Sequence, residues 1–150
     1  IFLKGSEIMK QIIIITGHNN FASGILSSLT MIAGVKDNVY AVDFLSDDND
    51  DTLEDKFNKI ISDNKDSEIL FTCDLMGGTP FKVASKLAFT NDNYEVVTGI
   101  NLGGLIDTSM KLDKMSIKEL KTSCKDASIK SVIPLEKIIT KEEKESNEGI

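Results

Sequence analysis

Apolar residues in this 150-residue chain fall into short dense runs, and the runs alternate between two kinds of spacing. Gln11–Thr16 is almost unbroken Ile, which predicts a central strand covered on both faces. Phe21, Ile25, Leu29 and Ile32 recur at helical spacing and predict a helix over Phe21–Ala33, with Gly34 as its stop. Val39–Phe44 reads as a second strand. Leu53, Phe57, Ile60 and Ile61 predict a helix over Thr52–Ser62, opened by the capping box Asp51-Thr52-Leu53-Glu54. Glu68–Cys73 reads as a third strand. A helix over Pro80–Phe89 follows, with Thr79 as N-cap and Pro80 at the first helical position. Tyr94–Thr98 reads as a fourth strand, then Leu105–Leu112 as a helix. A second capping box, Ser116–Glu119, opens a short helix to about Ser123. Ile129–Leu135 reads as a last strand, kept to an edge or a terminus by Pro134. Strands that alternate with helices specify an α/β fold with a mostly parallel sheet and helices on both faces.

Composition narrows this picture. The hydrophobic share is 41% and the formal charge −7, with a pI near 4.7. The length suits one domain. Such acidity excludes the basic footprint of a nucleic-acid binder and disfavours an anionic membrane surface. It suits a protein that meets a basic partner surface. No apolar run approaches the roughly 18 residues of a membrane span. Cys73 and Cys124 have no metal-ligand spacing, and with a single histidine a zinc site would have to be mainly carboxylate. Neither a metal nor a cofactor is expected. Two isolated cysteines indicate no disulfide framework, so a reducing cytoplasm is the expected compartment. Residues 1–8 are expected to be a tag or a disordered extension, residues 9–135 the folded domain, and the Lys- and Glu-rich residues 136–150 a polar tail. The acidic run Asp47–Asp51 reads as a solvated loop and cap. It lacks the glycine and the later glutamate of a calcium-binding loop.

Candidate chemistry gathers at strand tips, where open α/β sheets place their ligands. His18, the only histidine, follows the first strand. Asp74 follows the third, and Gly77-Gly78-Thr79 leads into the next helix. If the first and third strands are neighbours, His18 and Asp74 meet. A carboxylate on one ring nitrogen fixes the tautomer and leaves the other nitrogen free to attack phosphorus. Backbone N–H groups at a helix start, with the Thr79 hydroxyl, suit phosphoryl oxygens, and phosphoryl transfer asks mainly for positioning and charge stabilisation. Each residue also has a plainer reading: His18 as a polar loop residue, Asp74 as a turn former, Gly77-Gly78 as a tight turn and Thr79 as a cap. A flavodoxin-like nucleotide or flavin module is the main alternative, although G-x-G-x-x-G and the P-loop motif are absent. A receiver-like domain phosphorylated on Asp74 is another, but it leaves His18 idle and lacks an acidic cluster at the first strand. A regulatory relative that transfers nothing is a third.

Three segments carry a resemblance. Ile13–Gly24 (IIITGHNNFASG), Cys73–Phe81 (CDLMGGTPF) and Gly99–Leu102 (GINL) resemble, in order and interval, the signatures of the mannose-type EIIA components of the bacterial phosphoenolpyruvate:sugar phosphotransferase system (PTS). The resemblance covers about residues 9–135. It implies a cytoplasmic phosphotransferase in which His18 accepts a phosphoryl group on Nε2 from phospho-HPr and passes it to EIIB. Asp74 would hold the other ring nitrogen, and Gly77, Gly78 and Thr79 would stabilise the phosphoryl group. It further implies a twisted, mostly parallel sheet with an antiparallel C-terminal edge strand, exchanged between the subunits of a homodimer, for which Ile129–Leu135 is the candidate. The membrane components EIIC and EIID would be met only indirectly, and sugar recognition would lie with them. The chain is expected to use EIIB as a separate polypeptide. Two departures stand out. Asn19 occupies a position that is glycine in many members, where it could crowd the docking face. Gly103-Gly104 replaces bulkier residues and is expected to loosen the third loop.

Overall fold

A computed structural model describes residues 9–138. The expected extension 1–8, and residues 139–150 of the expected tail, lie outside the described residues. The order is β1 (Gln11–His18), α1 (Phe21–Ala33), β2 (Val39–Phe44), α2 (Asp50–Asp63), β3 (Glu68–Cys73), α3 (Thr79–Phe89), β4 (Tyr94–Thr98), α4 (Leu102–Met110) and α5 (Ile117–Lys130).

The four strands form one sheet in the order β2-β1-β3-β4, and every pairing is parallel. Successive side chains of β1 feed two separate cores, as the alternation of a strand requires. Ile13 and Ile15 pack with Leu29, Leu105, Leu120 and Cys124 from α1, α4 and α5. Ile12 and Ile14 pack with Leu53, Phe57 and Val83 from α2 and α3. The unbroken Ile run is therefore the central strand of a three-layer domain. The chain leaves β1 toward β2 on one side, then crosses back to β3 on the other. That reversal makes the gap between the C-terminal ends of β1 and β3 the switch point of the sheet, where a crevice forms.

Several element ends depart from the sequence reading. First, β1 runs two residues further, to His18, because Gly17 and His18 stay in register with Asp43 and Phe44 of β2. Second, α2 starts at Asp50 and its capping box is Asn49–Thr52: the Thr52 N–H donates to Asn49 Oδ1 (3.0 Å) and the Asn49 N–H to Thr52 Oγ1 (2.9 Å). Third, α3 begins at Thr79 with Gly78 as the cap, so Thr79 is the first helical residue and Pro80 the second. Fourth, α4 starts at Leu102, capped by Asn101, whose Oδ1 accepts the Gly104 N–H (2.9 Å).

The largest departure is at the C-terminus. Helix α5 continues to Lys130, because Ile117, Leu120, Cys124 and Ser128 keep a buried stripe at helical spacing. Ile129 and Lys130 thus belong to a helix rather than to a strand. Residues 131–138 run exposed and belong to no strand, so the described chain forms four parallel strands and no antiparallel edge strand. A strand needs a neighbour to satisfy its backbone, and among the described residues the segment has none.

Gly103-Gly104 tightens its region instead of loosening it. A Cβ built on Gly104 would lie 2.9 Å from the Ser128 Cα, and one on Gly103 would lie 2.7 Å from the Ser131 Cβ. The two glycines let α4 approach the backbone of α5. Gly104→Ala is expected to destabilise the domain by about 1–3 kcal/mol through overpacking. Gly24→Ala, on an exposed helix position with nothing within 4 Å, is the control and should be neutral or mildly stabilising. Thermal melts of the two variants check this.

Candidate functional site

The switch point brings His18 and Asp74 together. His18 ends β1, Asp74 directly follows β3, and Thr16 pairs with Cys73, so the two side chains stand next to each other at the tip of the sheet. The His18 Nδ1 lies 2.7 Å from Asp74 Oδ2. The same oxygen accepts the His18 backbone N–H at 2.9 Å, and Asp74 Oδ1 accepts the Leu75 N–H at 2.8 Å. Both carboxylate oxygens are thereby engaged. With Nδ1 as the donor, the proton of the neutral ring sits on Nδ1, and Nε2 keeps a free lone pair. The His18 side chain is 44% exposed and the Asp74 side chain only 10%, so the imidazole is reachable from solvent while its carboxylate partner is sheltered.

The Asp74 carboxyl feels opposing influences. Burial pushes its pKa up, but the His18 backbone and ring N–H groups and the Leu75 N–H together hold it below the usual carboxylate range. It therefore stays ionised at neutral pH and can offset positive charge on the ring.

The loop into α3 lies against the imidazole. A Cβ on Gly78 would lie 2.6 Å from His18 Cε1 and 3.2 Å from Nε2. The backbone of Gly78 itself is extended (φ −73°, ψ 166°), a conformation open to any residue. It is the ring of His18 that demands glycine there. Gly77 differs: its φ of +85° is the left-handed region that glycine reaches without cost. The start of α3 therefore lies beside the imidazole, and the N–H groups of a helix's first turn lack intrahelical partners. The three sequence-predicted residues Gly77, Gly78 and Thr79 thus all belong to this helix start. Gly78→Ala should push the ring off its seat and cost about ten- to a hundredfold in reactivity at Nε2, with the melting temperature nearly unchanged. Reaction of the single histidine with diethylpyrocarbonate measures it.

Asn19 adopts φ +49°, which accounts for glycine being common at that position; among other residues asparagine tolerates this conformation best. Its backbone N–H donates to the Phe44 carbonyl at 2.7 Å. The third segment does a different job. Asn101 caps α4 and its Nδ2 donates to the Ser128 carbonyl (2.8 Å), so its polar groups bind α4 to α5 and not to His18.

Sequence reasoning missed the contribution of β2. The ring of Phe44 stands edge-to-face against His18, with centroids 5.9 Å apart and planes at 87°. The Asp43 Oδ1 accepts the Ser23 N–H in the first turn of α1 (2.9 Å). The signal was available: β2 also ends at this edge of the sheet, and strand-tip residues next to His18 were candidates on the same rule.

Fold and site together define a three-layer parallel α/β protein with a carboxylate-oriented histidine at its switch point. Comparison with known proteins gives the family. The sequence profile of the EIIA-man family, described as the PTS system fructose IIA component, matches residues 12–125, and the chain belongs to that family. It is 29% identical over 120 residues to the PTS system fructose-specific EIIA component of Bacillus subtilis, covering 79% of this chain and 82% of that protein. It is 33% identical over 102 residues to the PTS system mannose-specific EIIAB component of Escherichia coli K12, covering 67% of this chain but only 32% of that longer protein. Among solved structures, phosphotransferase system component EIIA from Streptococcus agalactiae superposes with a TM-score of 0.76 at 31% identity, covering 83% of this chain and 96% of the other. The mannose/sorbose-specific IIA subunit from Enterococcus faecalis gives 0.80 at 25% identity, covering 88% and 99%. The family places the protein in the sugar phosphotransferase system. Among the described residues no helix is long and apolar enough to cross a membrane.

Proposed function

We propose that the protein is a cytoplasmic phosphohistidine carrier that takes a phosphoryl group from phospho-HPr onto Nε2 of His18 and hands it to EIIB. The observation that carries this reading is the 2.7 Å contact between His18 Nδ1 and Asp74, which engages Nδ1 and leaves Nε2 of the half-exposed ring for the phosphoryl group. In the loading step the Nε2 lone pair attacks phosphorus while the P–N bond of the donor phosphohistidine breaks. The ring becomes cationic, and ionised Asp74 at Nδ1 stabilises that charge. The first turn of α3, with Gly77, Gly78 and Thr79, receives the phosphoryl oxygens. Unloading reverses the sequence toward EIIB. No cofactor takes part in either step.

Partner docking would use the rim around His18. Leu45, Leu75 and Met76 are exposed there, and the acidic run of residues 47–51, which leads into α2, follows Leu45. This combination suits a partner face with an apolar centre and basic edges. A homodimer follows from the family resemblance. Residues 131–135 are unpaired in the described chain, as is the outer edge of β4, and exchange of that segment between two copies would satisfy both. EIIC and EIID are reached only through EIIB.

Incubation with phosphoenolpyruvate, enzyme I and HPr tests the reading. The expected product is an acid-labile, base-stable phosphohistidine, and because the chain has one histidine the label maps without ambiguity. Label on Asp74, or none, overturns the proposal.

A further inference from the structure

We infer that Phe44 is a positioning residue for His18, a fixed aromatic wall that keeps the imidazole from rotating away from Asp74. This inference rests on the carrier reading and adds a residue that the sequence motifs do not contain. A ring held by one hydrogen bond at Nδ1 is still free to turn about its Cβ–Cγ bond once that bond breaks, which would carry Nε2 off its aim. Three bodies surround the ring here. Asp74 holds Nδ1, the Gly78 backbone lies against Cε1, and Phe44 stands edge-to-face against the ring at 87°, within the range of favourable aromatic pairs.

Phe44 is itself held from two directions. Its backbone is in register with His18 in the β1–β2 pairing, and its carbonyl accepts the Asn19 N–H at 2.7 Å. Its side chain packs on the core cluster that contains Val42, Phe57 and Phe71. Neither anchor depends on the ionisation or loading of His18. The wall therefore stays in place when the charge on the imidazole changes, whereas the attraction of Asp74 varies with that charge.

Nitrogen-15 NMR of the single imidazole, recorded without any phosphodonor, reads the role directly. The full chain and its Phe44→Tyr variant should each give one signature, with the proton on Nδ1. Phe44→Leu, which stays apolar but loses the flat wall, should give mixed or averaged tautomers. Its transfer from phospho-HPr should slow by about three- to tenfold, the size of a lost edge-to-face contact, and Phe44→Tyr should retain the rate. Circular dichroism at the same temperature checks that each variant is folded; if Phe44→Leu is not, Phe44→Met takes its place. An unchanged tautomer signature in the non-aromatic variant, or a mixed signature with an unchanged rate, overturns the inference. If phospho-HPr labels not even the unaltered protein, the carrier reading fails, and the NMR signature still decides whether Phe44 orders the ring.

Discussion

His18→Ala should take up no acid-labile phosphate at all from phospho-HPr. The expectation is an all-or-none loss rather than a slowed rate, because the attacking atom itself is removed and the chain holds no second imidazole. Asp74 is a poor substitute acceptor, since both its oxygens already accept hydrogen bonds in the site. The fold should survive. His18 is nearly half exposed, and its backbone N–H, the group that bonds Asp74, is kept by alanine. The informative comparison is therefore a filter-binding assay beside a thermal melt: full loss of label with a near-normal melt supports the carrier reading. Residual acid-labile label in the variant would sink it.

Asp74→Ala should slow loading by about 10²–10⁴-fold, the usual cost of losing the orienting partner of a reactive imidazole. Asp74→Asn should do so too, since an amide keeps the shape but not the charge that offsets a cationic phosphoimidazole. Rapid-quench measurement of transfer from phospho-HPr gives the number, and an unchanged rate would remove Asp74 from the mechanism. The same residue predicts a pH effect. Its folded pKa lies below the ordinary value, so its hydrogen bonds stabilise the fold above the unfolded carboxylate pKa of about 4 and are lost as pH falls through the folded pKa. The melting-temperature gap between the protein and Asp74→Asn should thus shrink as the pH falls below about pH 4.

The parts of this architecture that the sequence discloses are those set by local periodicity. The spans Phe21–Ala33, Val39–Phe44, Glu68–Cys73 and Tyr94–Thr98 are the same in both readings, since dense apolar runs bounded by Gly, Asn and Asp leave little choice. His18, Asp74 and Gly77–Thr79 were legible because strand tips are where such sheets do chemistry. What escaped was set by partners far away in the chain. Gly17 and His18 look like a turn but remain strand, because β2 runs alongside them. Two helices start earlier than the sequence reading placed them, because Asn49 and Asn101 cap them. Ile129–Leu135 has strand composition, yet its first two residues are the last of α5, whose buried stripe runs as far as Ser128. Phe44 looked like an ordinary strand terminus, and only the β1–β2 register shows that it faces the histidine.

Two adjacent glycines in the loop before α3 answer to different causes, and this separates them in evolution. Gly77 is fixed by its own backbone angle, so any chain that keeps this turn has reason to keep it. Gly78 is constrained by a ring sixty positions away and by nothing in its own dihedrals. A descendant that lost the histidine would lose the constraint at 78 with it and could drift there to alanine or serine at little expense. Paired retention or paired loss of His18 and Gly78 would then distinguish relatives that still relay phosphate from those that keep only the scaffold.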